Sequence, residues 1–258
     1  MVFDAPTGDA SFELSVTRSE AFGPDSLAGV PEDAQVWRDW SGMIRACGYT
    51  RDGQHWIRLR DVAAFRFAPE GNRVAAFVPD SMAAEEVGEA FKDHLLPFAL
   101  QALGRELLHA SAVDTPSGAL AFCGSSGAGK STLASGLAGR GHTRLADDAL
   151  IFERRDDGIV AIPMSGVPAV PLAGVFVLER TEDPAAPHLE IEALPHRSAF
   201  PLLLYHAHCF SFADDQRTGL MIDRYFELAV RVPTFRLRYR PDLERLPDVL
   251  DGVQAVIE

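Results

Sequence analysis

Gly124-Ser125-Ser126-Gly127-Ala128-Gly129-Lys130-Ser131 spells G-x-x-x-x-G-K-[ST], and its chemistry is that of polyphosphate binding. A polyphosphate needs many N–H donors at short range, and glycines let the backbone curl round the anion without side-chain clash. Lys130 would neutralise the outer phosphates. Ser131 stands where its hydroxyl can join the shell of a magnesium ion that already holds phosphate oxygens. Thr132, the first residue beyond the motif, completes a nucleotide-contacting set over residues 124–132.

A second feature is Asp147-Asp148, set inside the apolar run that leads to Leu150-Ile151-Phe152. Paired carboxylates are costly to bury unless a metal or a proton-transfer role retains them. Downstream of the loop, one carboxylate could hold magnesium with Ser131 while the other accepts the proton of an attacking hydroxyl. An exposed acidic turn between two strands explains the same pattern equally well.

The flanks of the motif carry the elements that must position it. Ala119-Leu120-Ala121-Phe122-Cys123 reads as a buried strand feeding the loop. A helix is expected after it, with Leu133 and Leu137 on one face and a stop at Gly141. That helix would aim its N-terminus at the phosphates. Residues 107–113 read as a further strand, joined to the first by a Thr115-Pro116-Ser117-Gly118 turn. Later strands are expected around Val175-Phe176-Val177 and Phe235-Arg236-Leu237, with a closing helix over residues 246–256.

Residues 1 to 79 differ in character. Runs such as Trp56-Ile57-Arg58-Leu59, with turn signals at Asp52-Gly53 and Glu70-Gly71-Asn72, predict a small antiparallel sheet. From Asp80 the pattern becomes helical, with Val87, Phe91 and Leu95 four apart and a break near Pro97. This gives two domains, a strand-rich 1–105 that ends in a helical segment and a second one over 106–258.

Composition narrows the function classes. With 258 residues and 47% hydrophobic content, the chain can bury a sizeable core. A net charge of −13 gives no general attraction to nucleic acid or to an anionic membrane, so neither is an expected partner. Cys47, Cys123 and Cys209 are scattered and odd in number, which fits a reducing compartment, the cytoplasm. The first fifteen residues lack a basic stretch followed by an apolar one, so no signal peptide is expected.

Taken in order, His109-Ala110-Ser111, GSSGAGKS and Gly141-His142 followed by Asp147-Asp148 resemble the catalytic domain of HPr kinase/phosphorylase. They are also similar to the smaller HPr-kinase-like proteins found beside peptide-modification genes, among them lasso-peptide precursor kinases. The resemblance implies an α/β fold with α+β features, a P-loop core of HPr-kinase type preceded by the strand-rich domain. It implies a kinase that uses ATP and Mg2+ to phosphorylate Ser or Thr of a peptide or small protein. Lys130 and Ser131 would then contact phosphate and magnesium, Asp147 would be the base, Asp148 the metal carboxylate, and His109 would lie near the transferred phosphate. The N-terminal domain would select the acceptor, and homo-oligomerisation is left open.

The chain also departs from that family. Residues 162–171 occupy the neighbourhood of its downstream glycine-rich loop but carry no Lys or Arg to clamp a phosphoryl group, so phosphorylase activity and HPr itself are not expected. A nucleotide-binding regulator that has lost phosphoryl transfer is the alternative. No third carboxylate for the metal is assignable, Glu153 being only a weak candidate. His206 and His208 read as structural, Trp37 and Trp40 as packing residues. Arg236, Arg238 and Arg240 alternate with apolar residues as on a half-buried strand with a solvated basic face, and a docking strip for an acidic peptide is the lesser reading.

Overall fold

The computed structural model describes residues 1–6, 11–19, 30–38, 41–68, 72–164, 167–209 and 214–257. The chain divides into two compact units, Met1–Gly104 with Cys209–Asp214, and Arg105–His208 with Asp215–Glu258. That Cys209 and Asp214 belong with the first unit is a feature no sequence signal marked. Trp40 and the Glu70-Gly71 turn lie outside the described residues.

In the first unit the strands are β1 (Val2–Asp4), β2 (Ser11–Arg18), β3 (Gln35–Arg38), β4 (Ile44–Arg51), β5 (Gln54–Leu59), β6 (Ala63–Phe67) and β7 (Arg73–Val78). They form a sheet of order β1-β2-β7-β6-β5-β4-β3. Asp52 and Gly53, with φ of 52° and 72°, make the tight turn between β4 and β5. The expected antiparallel sheet is corrected at one pairing, because β2 runs parallel to β7. A hairpin forces antiparallel pairing, but these two strands are separated by the whole β3 to β6 segment, which leaves their direction free.

Helix α1 (Ala84–Ala90) continues through a wider π-helical turn, Phe91–Leu95, into α2 (Leu96–Ala102). The irregularity therefore falls one turn before Pro97, among the carbonyls that the proline nitrogen cannot serve. Val87, Phe91 and Leu95 are fully buried. The Phe91 ring meets Phe3, Phe12 and Phe65 at centroid distances of 5.3, 6.2 and 6.3 Å, and Trp37 packs on Phe98 at 5.5 Å. Burying each such ring contributes about 2 kcal/mol.

The second unit contains β8 (Glu106–Leu108), β9 (Ala110–Thr115), β10 (Gly118–Cys123), α3 (Lys130–Ala138), β11 (Thr143–Ala146), β12 (Leu150–Arg155), β13 (Gly158–Ile162), β14 (Val170–Arg180), β15 (Leu189–Leu194), α4 (His196–Tyr205), α5 (Asp215–Arg231), β16 (Thr234–Tyr239) and α6 (Leu246–Ile257). Its sheet runs β11-β9-β10-β14-β13-β12-β8, with β16 beside β14 and β15 beside β16. The β10, β14 and β16 strands are parallel to one another. Leu120, Phe122, Phe176, Leu178 and Leu237 from those strands close a core with Leu133 and Leu137 of α3 and Val249, Leu250 and Val253 of α6. The molecule is thus α/β, with two sheets and six α-helices among the described residues. None of these helices is long and apolar enough to cross a membrane.

Two expectations change here. Residues 107–113 are not one strand: β8 pairs with β12, β9 pairs with β10, and His109 stands at the break between them. Its backbone N–H is satisfied by the His206 carbonyl at 2.8 Å, which replaces the ladder bond lost at the switch. Helix α3 ends at Ala138, and the residues up to Gly141 continue as hydrogen-bonded turns, with Gly141 at φ +98°.

Candidate active site

The residues of the glycine-rich motif bridge β10 and α3 at the carboxyl ends of three parallel strands: β10 ends at Cys123, β14 at Arg180 and β16 at Tyr239. Open α/β sheets carry ligands at that edge. Gly129 caps α3 at φ +99°, a conformation that an L side chain adopts only under strain. A Cβ there would also stand 2.0 Å from the Tyr239 hydroxyl oxygen. The first turn of α3 exposes N–H groups with no intrahelical acceptor and the positive end of the helix dipole.

The loop is held from outside. The Tyr239 hydroxyl donates to the Ala128 carbonyl at 2.6 Å and Arg180 Nη1 to the Gly127 carbonyl at 2.7 Å. Because a trans peptide sets its N–H opposite its C=O, the first bond turns the Gly129 N–H away from Tyr239. Lys130 is buried, and its Nζ donates to the Gly124 carbonyl at 2.8 Å and the Ser125 carbonyl at 3.4 Å. Burial draws its pKa below the usual lysine value, with the charges of Asp148, Cys123 and Asp147 pulling the other way.

Ser111 of β9 ties the loop helix to the acidic pair. Its Oγ lies 3.4 Å from Ser131 Oγ, donates to the Asp147 carbonyl at 2.5 Å and stands 3.4 Å from Asp147 Oδ1. Asp147 pairs with Arg144 at i,i+3. Burial pushes the Asp147 pKa up, but hydrogen bonds from Ser131, Arg144 and Ser111 outweigh it and hold the carboxyl below its ordinary value. The pair is not inside a strand as the apolar run suggested. It occupies the bend between β11 and β12, with side chains 61% and 69% exposed. The bend is exposed, as one reading of the sequence had it, and Ser111 connects it to the first turn of α3.

Asp148 turns to the other side, where its Oδ1 lies 3.3 Å from His109 Nδ1. Burial lowers the His109 pKa, Asp148 opposes that, and Lys130 reinforces it, so the ring is neutral at pH 7 and can donate its Nδ1 proton to the carboxylate. Two further histidines stand behind it. Burial lowers the His206 pKa to about 4, aided by His109 and Lys130, and lowers that of His208 to about 3, aided by His109. The His109 and His208 rings meet edge-on at 5.9 Å. Among the described residues no group of three or more His, Cys, Asp or Glu is arranged to hold a metal.

The sequence-named residues of the loop, with Lys130, Ser131, Asp147, Asp148 and His109, come together in the second unit. Sequence reasoning gave no role to Ser111, Arg144, Arg180 or Tyr239. Ser111 had a signal, its place two residues after His109 on a strand, whereas Tyr239 and Arg180 are brought in by parallel pairing that local patterning cannot reveal. Glu153 is engaged elsewhere, 3.0 Å from Arg105. The basic face is partly exposed, as read, but two of its three arginines are paired: Arg236 bonds Glu179 and Glu192, and Arg238 bonds Glu190 and Glu179, at 3.0 to 3.2 Å. Carboxylates of β14 and β15 neutralise that strip, which leaves it little pull on an acidic peptide.

No family model matches the chain, and no curated protein does. Among solved structures, the Hpr(Ser) kinase/phosphatase from Coxiella burnetii is similar, at 13% identity and a TM-score of 0.34, over 58% of this chain and 89% of that one. At that identity and score, the chemistry of the site has to come from its own residues.

Proposed function

We propose that the chain is an ATP- and Mg2+-dependent kinase that transfers the γ-phosphoryl group to a Ser or Thr hydroxyl of a peptide or small protein. The observation that carries the reading is the single hydroxyl of Ser111 lying 3.4 Å from both Ser131 Oγ and Asp147 Oδ1, at the start of the loop helix. An exposed acidic bend with no chemistry has no need to be tied to a glycine-rich loop through a fully buried serine.

The donors suit magnesium, since Ser131 and Asp147 offer hard oxygens and a triphosphate would supply the rest. Magnesium, when bound, would neutralise charge on the phosphate oxygens. The loop amides and Lys130 would hold the triphosphate in line with the acceptor. As the acceptor oxygen bonds the γ-phosphorus, the bond to the bridging oxygen breaks, ADP leaves with the electron pair, and the hydroxyl proton passes to a carboxylate. The contacts of Ser111 with both Ser131 Oγ and Asp147 Oδ1 favour Asp147 as the metal carboxylate and Asp148, beside His109, as that base. This is the reverse of the order that the resemblance implies.

Transfer of label from γ-labelled ATP to a panel of Ser- and Thr-containing peptides tests the reading. Wild type is expected to label a peptide, and Lys130→Ala is expected to abolish it. Equal labelling by both proteins rejects the kinase. Tight ATP binding with no transfer to any acceptor would leave the regulator, for which the Arg144 ion pair that already occupies Asp147 is the supporting observation. A magnesium titration then separates the two aspartates. With Asp147→Asn the metal requirement rises, whereas Asp148→Asn loses rate at saturating metal; the opposite result restores the order of the resemblance.

A further inference from the structure

A cavity of about 330 Å3 opens on the flank of the loop, within the second unit. Gly129 and Thr132 border it on the loop side, Tyr239 and Val249 form its buried floor, and Asp242 and Leu243 stand at its rim. We propose that this cavity takes the nucleoside half of the triphosphate, with the base against Tyr239 and Leu243 and the ribose hydroxyls at Asp242. The proposal rests on the reading of the loop as the phosphate site.

Three observations carry it. The first is continuity: Gly127, Gly129 and Thr132 belong both to the loop and to the cavity wall, so one molecule can engage both without leaving the protein surface. Its volume lies at the lower end of small-molecule sites, about 300 Å3 and upward, which suits one nucleoside better than a folded peptide segment. The second is chemistry. A base presents two apolar faces and a ribose presents hydroxyl donors, and the lining answers with Tyr239, Val249 and Leu243 for the first and an acceptor-only carboxylate for the second.

The third is order at the rim. Leu243 is 79% exposed, a costly place for leucine, yet its backbone is fixed. Asp242 Oδ1 accepts the Glu244 N–H at 2.9 Å, the Asp242 carbonyl accepts the Arg245 N–H at 3.3 Å, and the Leu243 carbonyl accepts the Leu246 N–H at 3.3 Å. The turn presents an uncovered apolar side chain across from a floor whose Tyr239 is itself tied to the loop. A flat ring between them would cover both.

Calorimetric titration with MgATP and with magnesium tripolyphosphate tests the assignment, because the second ligand has phosphates and no nucleoside. Wild type is expected to bind MgATP more tightly than tripolyphosphate. Leu243→Asp, a change at an exposed position, is expected to weaken MgATP about tenfold, the loss of one well-covered apolar contact, while tripolyphosphate binding stays unchanged. Leu243→Met is expected to keep both affinities. Equal wild-type affinity for the two ligands, or a Leu243→Asp protein that binds MgATP like wild type, overturns the proposal while leaving the loop reading intact. A Leu243→Asp protein that keeps MgATP but no longer phosphorylates its peptide overturns it in favour of the acceptor as occupant. Failure of wild type to bind either ligand removes the loop reading, and the proposal with it.

Discussion

The Tyr239 hydroxyl fills the space a Gly129 side chain would occupy: its oxygen would lie 2.0 Å from a Cβ built on Gly129, and it donates to the Ala128 carbonyl at 2.6 Å. The last residue of β16 thereby fixes the backbone at the start of α3, although the two are far apart in sequence. Tyr239→Phe removes the donor and leaves a buried carbonyl unpaired, at a cost of about 1–2 kcal/mol. Gly129→Ala is expected to cost about 2–4 kcal/mol, because it adds the clash to the strain of a φ of +99°. In the double variant the clash is relieved while the strain and the lost hydrogen bond remain. Urea unfolding should therefore show it destabilised by less than the sum of the two single variants, and strict additivity would show that Tyr239 does not press on Gly129.

On the proposed function Ser111 is a positioning residue, since it touches Ser131 and Asp147 and would touch neither nucleotide nor acceptor directly. Ser111→Ala is expected to lower kcat about 10–100-fold, as loss of a group that orients a metal carboxylate does, and to raise the magnesium requirement. Ser111→Thr keeps the hydroxyl and should recover part of the rate. A Ser111→Ala enzyme with altered stability but an unchanged magnesium titration would reduce Ser111 to packing.

How much of this was legible in the sequence follows from the range of each interaction. Gly127, Gly129, Lys130 and Ser131 declared themselves because a glycine-rich loop between a strand and a helix is a local backbone device, and its residue types are dictated within eight positions. The four-residue spacing of Val87, Phe91 and Leu95, all fully buried, was equally local. Parallel pairing is not, so the β2 to β7 pairing, Arg180 and Tyr239 gave no signal. The strand expected through His109 failed for an instructive reason: residues 107, 108, 110, 112 and 113 are all buried, so apolarity continues across a break that only the change of partner strand reveals. Arg236 and Arg238 misled in the opposite sense, since a basic strip in sequence says nothing of the carboxylates that neighbouring strands bring to it.

Arg144 sets the state of Asp147. Its guanidinium helps Ser131 and Ser111 to keep that carboxyl ionised against the push of burial. Arg144→Gln removes the charge and keeps a polar side chain, so the Asp147 pKa should rise. Asp147 then binds a proton at a higher pH, and the acid limb of the rate profile is expected to move upward, with more magnesium needed to restore activity on that limb. Profiles of kcat/KM against pH at two magnesium concentrations measure this. An acid limb that stays in place in Arg144→Gln would show that it reports another group.

The three histidines around the break in β8 and β9 predict an acid sensitivity of the second unit that is separate from catalysis. Folding holds His206 at about 4 and His208 at about 3, while the ordinary value is 6.5, and it lowers His109 as well. Below pH 6.5 the unfolded chain therefore binds protons that the folded chain refuses, so stability falls as pH drops from 6.5 towards 4 and is unaffected by these rings above 6.5. Each refused proton adds about 1.4 kcal/mol per pH unit to the slope. Asp147, whose folded pKa is also depressed, adds to the fall only once pH drops below its ordinary 3.8. Urea midpoints of the second unit between pH 7.5 and 4.5 are expected to decline, and His206→Asn to flatten the decline whatever it does to absolute stability. An equal slope in wild type and His206→Asn would mean that His206 titrates alike in the folded and unfolded chains, contrary to its burial beside His109 and Lys130.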